Sequence, residues 1–137
     1  MFNRAQKQEC ENSHEISADE SLELALKIVE AATDRKGDNI LLLKVSDVTY
    51  LADYFVIITG YSNAQIRAIY QAIAHKTELD CQRYPARVEG QGEGSWVLMD
   101  YGDAIVHILK PKEREFYNLE AFWGHGEQID ISELTLL

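Results

Sequence analysis

Three groups of residues have side chains of the right type for chemistry. Thr59-Gly60-Tyr61-Ser62 stands at a predicted strand-to-helix junction. Backbone N–H groups at a helix N-terminus can hold a phosphate there. Asp100 and Asp103 lie on neighbouring predicted strands, and closely placed carboxylates are what a magnesium-dependent nucleotidyl transfer needs. His14, His75, His107 and His125 could serve as bases or metal ligands. Each group falls short of a full set. A phosphate loop needs a Gly-Lys-Ser/Thr run and a dinucleotide site three spaced glycines, and neither is present. A turn followed by a Ser62 cap accounts for the same residues. No third acid of obvious geometry joins Asp100 and Asp103, and hairpin acids commonly close a turn through local side-chain bonds. No two histidines stand at metal-ligand spacing on one element. His107 shares a predicted strand face with Ile105 and Leu109, the setting of a half-buried, hydrogen-bonded histidine. Ser62 has no obvious basic partner and no nucleophile elbow around it, so it is a poor nucleophile.

The segment Trp96 to Asp103 points to contact instead of chemistry. Strand alternation sends Trp96, Leu98 and Asp100 to one sheet face, and Val97 and Met99 to the other. Only Tyr101-Gly102 separates the two predicted strands, the length of a tight hairpin, with Gly102 free to take a positive φ. Tyr101 is then expected at the hairpin tip as an exposed anchor for a partner. Trp96 supports two readings, an exposed anchor or a ring packed under a helix against Trp123, and composition does not choose between them.

The elements that must position these residues follow from periodicity and punctuation. Met1 to Ile16 is polar and reads as a mobile tail. Ser17-Ala18-Asp19-Glu20 is a capping box, followed by Leu22, Ala25, Leu26, Val29 and Ala32 at helical spacing up to a stop at Gly37. Ile40–Val45 and Tyr54–Thr59 read as buried strands. Ser62-Asn63-Ala64-Gln65 opens a second helix that fades near Asp80. Tyr84–Glu89 is a weaker strand, placed at an edge by Pro85. Trp96–Asp100 and Asp103–Leu109 are strong strands. Pro111 stops the last of them, and a helix over Glu113–Trp123 follows. An acidic tail carrying Ile129, Ile131, Leu134 and Leu136 closes the chain. The strand-helix-strand unit over 54–89 predicts a parallel crossover. The whole reads as one α/β domain, a mixed sheet of five strands flanked by helices, with tails at 1–16 and 124–137.

The chain has 137 residues, 46% of them apolar, which suits one domain with one core. The formal net charge of −10 repels phosphate backbones, so nucleic acid is not the expected main contact. That charge favours association with a basic protein surface, and it also simply keeps a chain soluble. Cys10 and Cys81 make no disulfide framework, which suits a reducing compartment. Residues 1–15 hold no secretory signal and no stretch approaches a membrane span, so a cytoplasmic location is expected.

Several patterned segments in this order resemble one family. They are Asp53-Tyr54-Phe55-Val56-Ile57-Ile58-Thr59-Gly60, then Ser62, Glu89-Gly90, Trp96 through Leu109, Arg114-Glu115-Phe116-Tyr117, and Leu119-Glu120 with Trp123. The chain is similar, over Leu22 to Trp123, to the Iojap-related family, the ribosomal silencing factors. The resemblance implies a nucleotidyltransferase-like fold without the catalytic acids. It implies a protein that binds the large ribosomal subunit through its ribosomal protein number fourteen. Such a protein blocks association with the small subunit and represses translation under nutrient limitation. It also implies a homodimer when free, and no catalytic, cofactor or metal site. The contact surface carried over is Trp96 with Tyr101, Gly102 and Asp103, and alternation adds Leu98 and Asp100. At position 101 the family often has an aliphatic residue, and tyrosine keeps its apolar body. Asp100 and Asp103 would face basic groups of the ribosomal protein. Arg114, Tyr117 and Glu120 are assigned to docking the last helix on the sheet. The alternative is a nucleotide-binding or nucleotidyltransferase-related enzyme using Gly60, Ser62 and Asp103.

Overall fold

The computed structural model describes residues 17–122 and 126–135. The expected tail 1–16 and Trp123 lie outside the described residues. Helix α1 (Ala18–Asp34) starts at the predicted capping box. The Ser17 hydroxyl accepts the Glu20 N–H, and the Glu20 carboxylate accepts the Ser17 N–H. It ends at Asp34 with Arg35 as its cap, short of the expected stop at Gly37. Lys36 takes the left-handed conformation, while Gly37 is required because a Cβ there would lie 2.8 Å from Ile58 Cγ2.

Strands β1 (Asp38–Lys44) and β2 (Tyr54–Thr59) follow, then helix α2 (Asn63–Cys81). Strands β3 (Arg87–Glu89), β4 (Trp96–Asp100) and β5 (Ala104–Leu109) precede two short helices, α3 (Pro111–Tyr117) and α4 (Leu119–Phe122). The helix expected over 113–123 is therefore broken. Asn118 turns left-handed at φ 47° and closes α3 with a bond from its N–H to the Arg114 carbonyl. Strand β6 (Glu127–Gln128) and helix α5 (Ser132–Thr135) end the described chain.

The sheet has six strands, not the expected five, in the order β3-β4-β5-β2-β1-β6. β2 and β5 pair in parallel over six register positions, and every other neighbour is antiparallel. β3 therefore runs parallel to β2, as the predicted crossover requires, with β5 and β4 lying between them. The additional strand comes from the stretch read as a C-terminal tail. Gln128 and Glu127 pair with Leu43 and Lys44, and Ile129, Ile131 and Leu134 pack against the core. Two physical demands place it there: apolar side chains that gain by burial, and a β1 edge with unpaired backbone groups.

The sheet faces differ. Helices α1 and α2 cover the inner face, where Leu24, Ile28, Ile66, Ile69 and Ile73 meet Tyr54, Val56, Ile58, Val97, Met99, Val106 and Ile108. On the outer face Leu43, Val45, Ala52, Phe55, Ile57 and Leu109 form a smaller buried cluster, with Leu41, Trp96, Ile105 and Leu119 only partly buried around it. Arg114 docks α3 as expected. Its Nη1 donates to Thr59 Oγ1 at 2.9 Å and to the Asn39 carbonyl, and its Nε to Glu120 at 3.2 Å.

The entry to β4 depends on one close approach. Gly90 has φ +90°, and a Cβ there would stand 2.0 Å from the Trp96 carbonyl oxygen. A Cβ at Gly92, two residues on, would meet nothing within 4 Å. Gly90→Ala is therefore expected to cost at least about 2 kcal/mol in urea unfolding, and Gly92→Ala less than about 1 kcal/mol. Equal losses would show that the connection does not constrain β4.

Candidate partner-binding face

The hairpin of β4 and β5 carries every residue expected at the contact. Its register is set by Trp96 opposite Leu109 and Asp100 opposite Ile105. Tyr101 continues the ladder, its N–H donating to the Ala104 carbonyl at 2.9 Å. The two-residue turn is therefore Gly102-Asp103, one residue later than the sequence reading. Gly102 has φ +91° at the first central position and Asp103 does not share the positive φ, the pattern of a type II′ turn.

That one-residue difference changes the role of Tyr101. A side chain follows the alternation of its strand. Tyr101 points inward with Val97 and Met99, is 5% exposed, and bonds through its hydroxyl to Thr77 Oγ1 at 2.8 Å. Burial pushes its phenol above the ordinary pKa. The exposed tip anchor expected at Tyr101 is thus a core residue that fastens the hairpin to α2.

Asp103 is also turned into the protein. Arg83 donates Nη2 to its Oδ1 at 2.6 Å and Nη1 to its Oδ2 at 3.3 Å, and Ser21 donates to Oδ2 at 2.7 Å. Burial pushes this carboxyl up, and the bonds from Arg83 and Ser21 outweigh it, so the pKa lies below the usual value. An engaged carboxylate of this kind is not free to face a basic partner. Asp100 is more open. It accepts the Gly102 N–H at 2.8 Å, closing the turn locally, and bonds Arg87 Nη2 at 3.1 Å.

Trp96, Leu98 and Asp100 do share the outer face, each partly exposed, and Ile105 joins them from β5. The Trp96 ring is held at two points. Its Nε1–H donates to His107 Nδ1 at 3.1 Å, and its ring lies 4.8 Å from that of Tyr117 on α3. So Trp96 both packs on a helix and keeps exposed area, combining the two sequence readings. His107 stands behind it, edge-on to Phe55 at 5.9 Å. Because Nδ1 accepts, the neutral ring carries its proton on Nε2. Burial lowers the pKa of His107 to about 4.

The residues of the alternative reading do not assemble. Asp103 precedes the first β2/β5 pair and Gly60 follows the last, which separates them by roughly 20 Å at strand rise. Ser62 Oγ accepts the Gln65 N–H at 3.0 Å, and Gln65 Oε1 takes the Tyr61 N–H at 2.7 Å. Gly60 N–H donates to the Leu109 carbonyl, and a Cβ at Gly60 would lie 2.6 Å from Ile66. Turn, cap and close packing thus account for Thr59–Ser62. A cleft of about 610 Å3 opens beside Thr59 and Tyr61, lined by Asp38, Glu115 and Glu120 as well as Arg114, a lining that disfavours phosphate. Among the described residues, no three His, Cys, Asp or Glu side chains group as a metal site. No helix there is long and apolar enough to cross a membrane.

Sequence reasoning missed Arg83 as the partner of Asp103, and His107 as the acceptor for Trp96. Nothing local marks Arg83. Alternation alone places His107 on the same face as Trp96.

The profile of a family described as "Ribosomal silencing factor during starvation" matches residues 18–136, a span that includes the docked C-terminal stretch. A protein of Zymomonas mobilis named ribosomal silencing factor RsfS is 36% identical over 109 residues, 79% of this chain and 81% of that one. A protein of the same name from Bacillus subtilis is 37% identical over 107 residues, 77% of this chain and 90% of its own length. A crystal structure of a Chromobacterium violaceum protein superposes with a TM-score of 0.73 at 33% identity, covering 85% of this chain and 92% of that one.

The buried imidazole makes stability depend on pH. Folded His107 takes its proton near pH 4 and an unfolded histidine near 6.5. Its neutral form favours the fold fully above 6.5, and this contribution falls away as pH drops towards 4. Between pH 7 and 4.5 wild type should lose about 2–3 kcal/mol more than His107→Phe in urea unfolding. Parallel pH profiles for the two chains would contradict a buried, neutral His107.

Proposed function

This chain belongs to the RsfS family of ribosomal silencing factors, and on that premise we propose that it silences ribosomes by occupying the large subunit. The partner in this reading is ribosomal protein number fourteen, on the face that meets the small subunit. Occupation of that face blocks subunit joining and lowers translation when nutrients are limiting. No bond is made or broken; a nucleotidyltransferase-like sheet serves as a docking surface. A homodimer when free and a cytoplasmic location belong to the same reading.

One observation carries it. The inner sheet face is closed by two helices, whereas Trp96, Leu98 and Ile105 leave apolar surface on the outer face. Rigid aromatic and aliphatic side chains on a sheet are efficient anchors, because little side-chain entropy is lost on docking. The contact centres on Trp96 and Leu98, with Asp100 and Gly102 at its rim. Tyr101 and Asp103 act from behind, holding the hairpin that presents the other four. The chain's charge of −10 suits a basic ribosomal protein and would hasten the encounter.

Sedimentation with separated subunits tests this. Wild type should co-migrate with the large subunit alone. Leu98→Arg, facing Glu89 across the ladder, should fold normally and bind at least about tenfold more weakly. Tyr101→Phe should lose about 1 kcal/mol of stability with its binding unchanged, because the Thr77 bond is buried away from the face. Wild type that binds neither subunit would sink the proposal.

A further inference from the structure

Five rings form a continuous row across the outer face, from buried Phe55 through His107, Trp96 and Tyr117 to Phe116. Neighbouring centroids are 4.8–5.9 Å apart. The row ends in water. Phe116 is 78% exposed and Tyr117 51%. These two rings and Trp96 line a cleft of about 460 Å3 between the start of β4 and α3, with Glu93 and Glu113 also on its walls. Among the described residues neither carboxylate has a salt-bridge partner. Lys112 is the one cation of the lining, and it adjoins Glu113 along α3, a spacing at which helix side chains do not face each other.

This combination selects one chemistry. An aromatic face carries the negative end of a quadrupole, and the carboxylates add full charges of the same sign. An anion is repelled by both, and Lys112 offsets only one of the two carboxylates, so a phosphate or an RNA backbone is disfavoured. A purely apolar group would desolvate the carboxylates without compensation. A cation is attracted by both. Between cations, a planar guanidinium lays its whole face on a ring while donating to a carboxylate from its edge, whereas a compact, strongly hydrated ammonium meets the ring at a point. The Phe116 and Tyr117 rings stand nearly perpendicular, at 82°, so they offer faces in two directions.

We propose that the cleft formed by Trp96, Phe116, Tyr117, Glu93 and Glu113 is a socket for an arginine side chain presented by a basic protein partner. The proposal deepens the docking reading of the outer face and rests on it. It adds residues of α3 and of the loop before β4 to the hairpin contacts. It also gives a reason for an exposed Phe116 that the fold does not supply.

NMR titration of the full chain with blocked arginine amide, blocked norleucine amide and blocked glutamate amide tests the socket without the ribosome. Arginine should shift the Trp96 indole N–H and the Phe116 and Tyr117 ring resonances saturably; norleucine and glutamate should not. Phe116→Ala and Glu113→Gln should each weaken the arginine titration about three- to tenfold. Phe116 is exposed enough for its loss to leave the fold intact. On the large subunit, Phe116→Ala should bind about three- to tenfold more weakly than wild type. If wild type responds to arginine but binds no subunit, the docking reading fails and the socket stands. If it binds the subunit but responds equally to arginine and norleucine, or if Glu113→Gln titrates like wild type, the socket is overturned.

Discussion

The structure depends on how Asp103 is held. Five hydrogen bonds converge on it: three to its carboxylate from Arg83 and Ser21, and two to its carbonyl from the N–H groups of Asp53 and Tyr54. They tie α1, the segment after α2 and the start of β2 to one hairpin turn. Fixing the turn at Gly102-Asp103 fixes the register of β4. Register in turn decides that Val97, Met99 and Tyr101 enter the core while Trp96 and Leu98 face out. A carboxylate that looked available to a partner or a metal is instead the clamp that holds the hairpin.

The same clamp is remote from the residues that could have formed a phosphate site. It lies at one end of the parallel β2/β5 ladder, whereas the strand-to-helix junction at Gly60 lies at the other. At that junction the Ser62 cap, the Gln65 side chain and the packing of Gly60 on Ile66 engage the groups that would otherwise meet a phosphate. The unmet physical demand of the molecule is elsewhere. One sheet face is sealed by two long helices, while the other has two short helices and a row of rings that runs out into solvent. Apolar surface left open on a rigid sheet is what the proposed docking uses.

The buried histidine shows how that surface is kept in order. An indole on a strand can rotate unless something holds its N–H. His107 does so as a neutral acceptor, and burial makes it a poor base, so the bond to Trp96 persists well below neutral pH. Tyr117 braces the other side of the same ring. Both supports lie far from Trp96 in sequence and come from different elements, which is how a sheet and a helix together make one side chain rigid.

The sequence by itself determined what is local. The capping box at Ser17, the apolar stripes of α1 and α2, the buried run of β2 and the outward set Trp96, Leu98 and Asp100 all follow from neighbours within a few residues. Their free energies are decided by short-range geometry, so residue order suffices to read them. Only the tertiary structure decided the rest. The turn settled one residue later than the strand reading placed it: Gly102 suits the first central position of a type II′ turn, and contacts from Ser21 and Arg83, remote in sequence, hold Asp103 at the second. The C-terminal stretch became a sixth strand because β1 offered an edge that the stretch itself does not encode. Tyr101 was buried because the position of the turn sends it to the inner face, where Thr77 on α2 gives its hydroxyl a partner. Side-chain pairs across long loops depend on where whole elements meet, and periodicity carries no record of that.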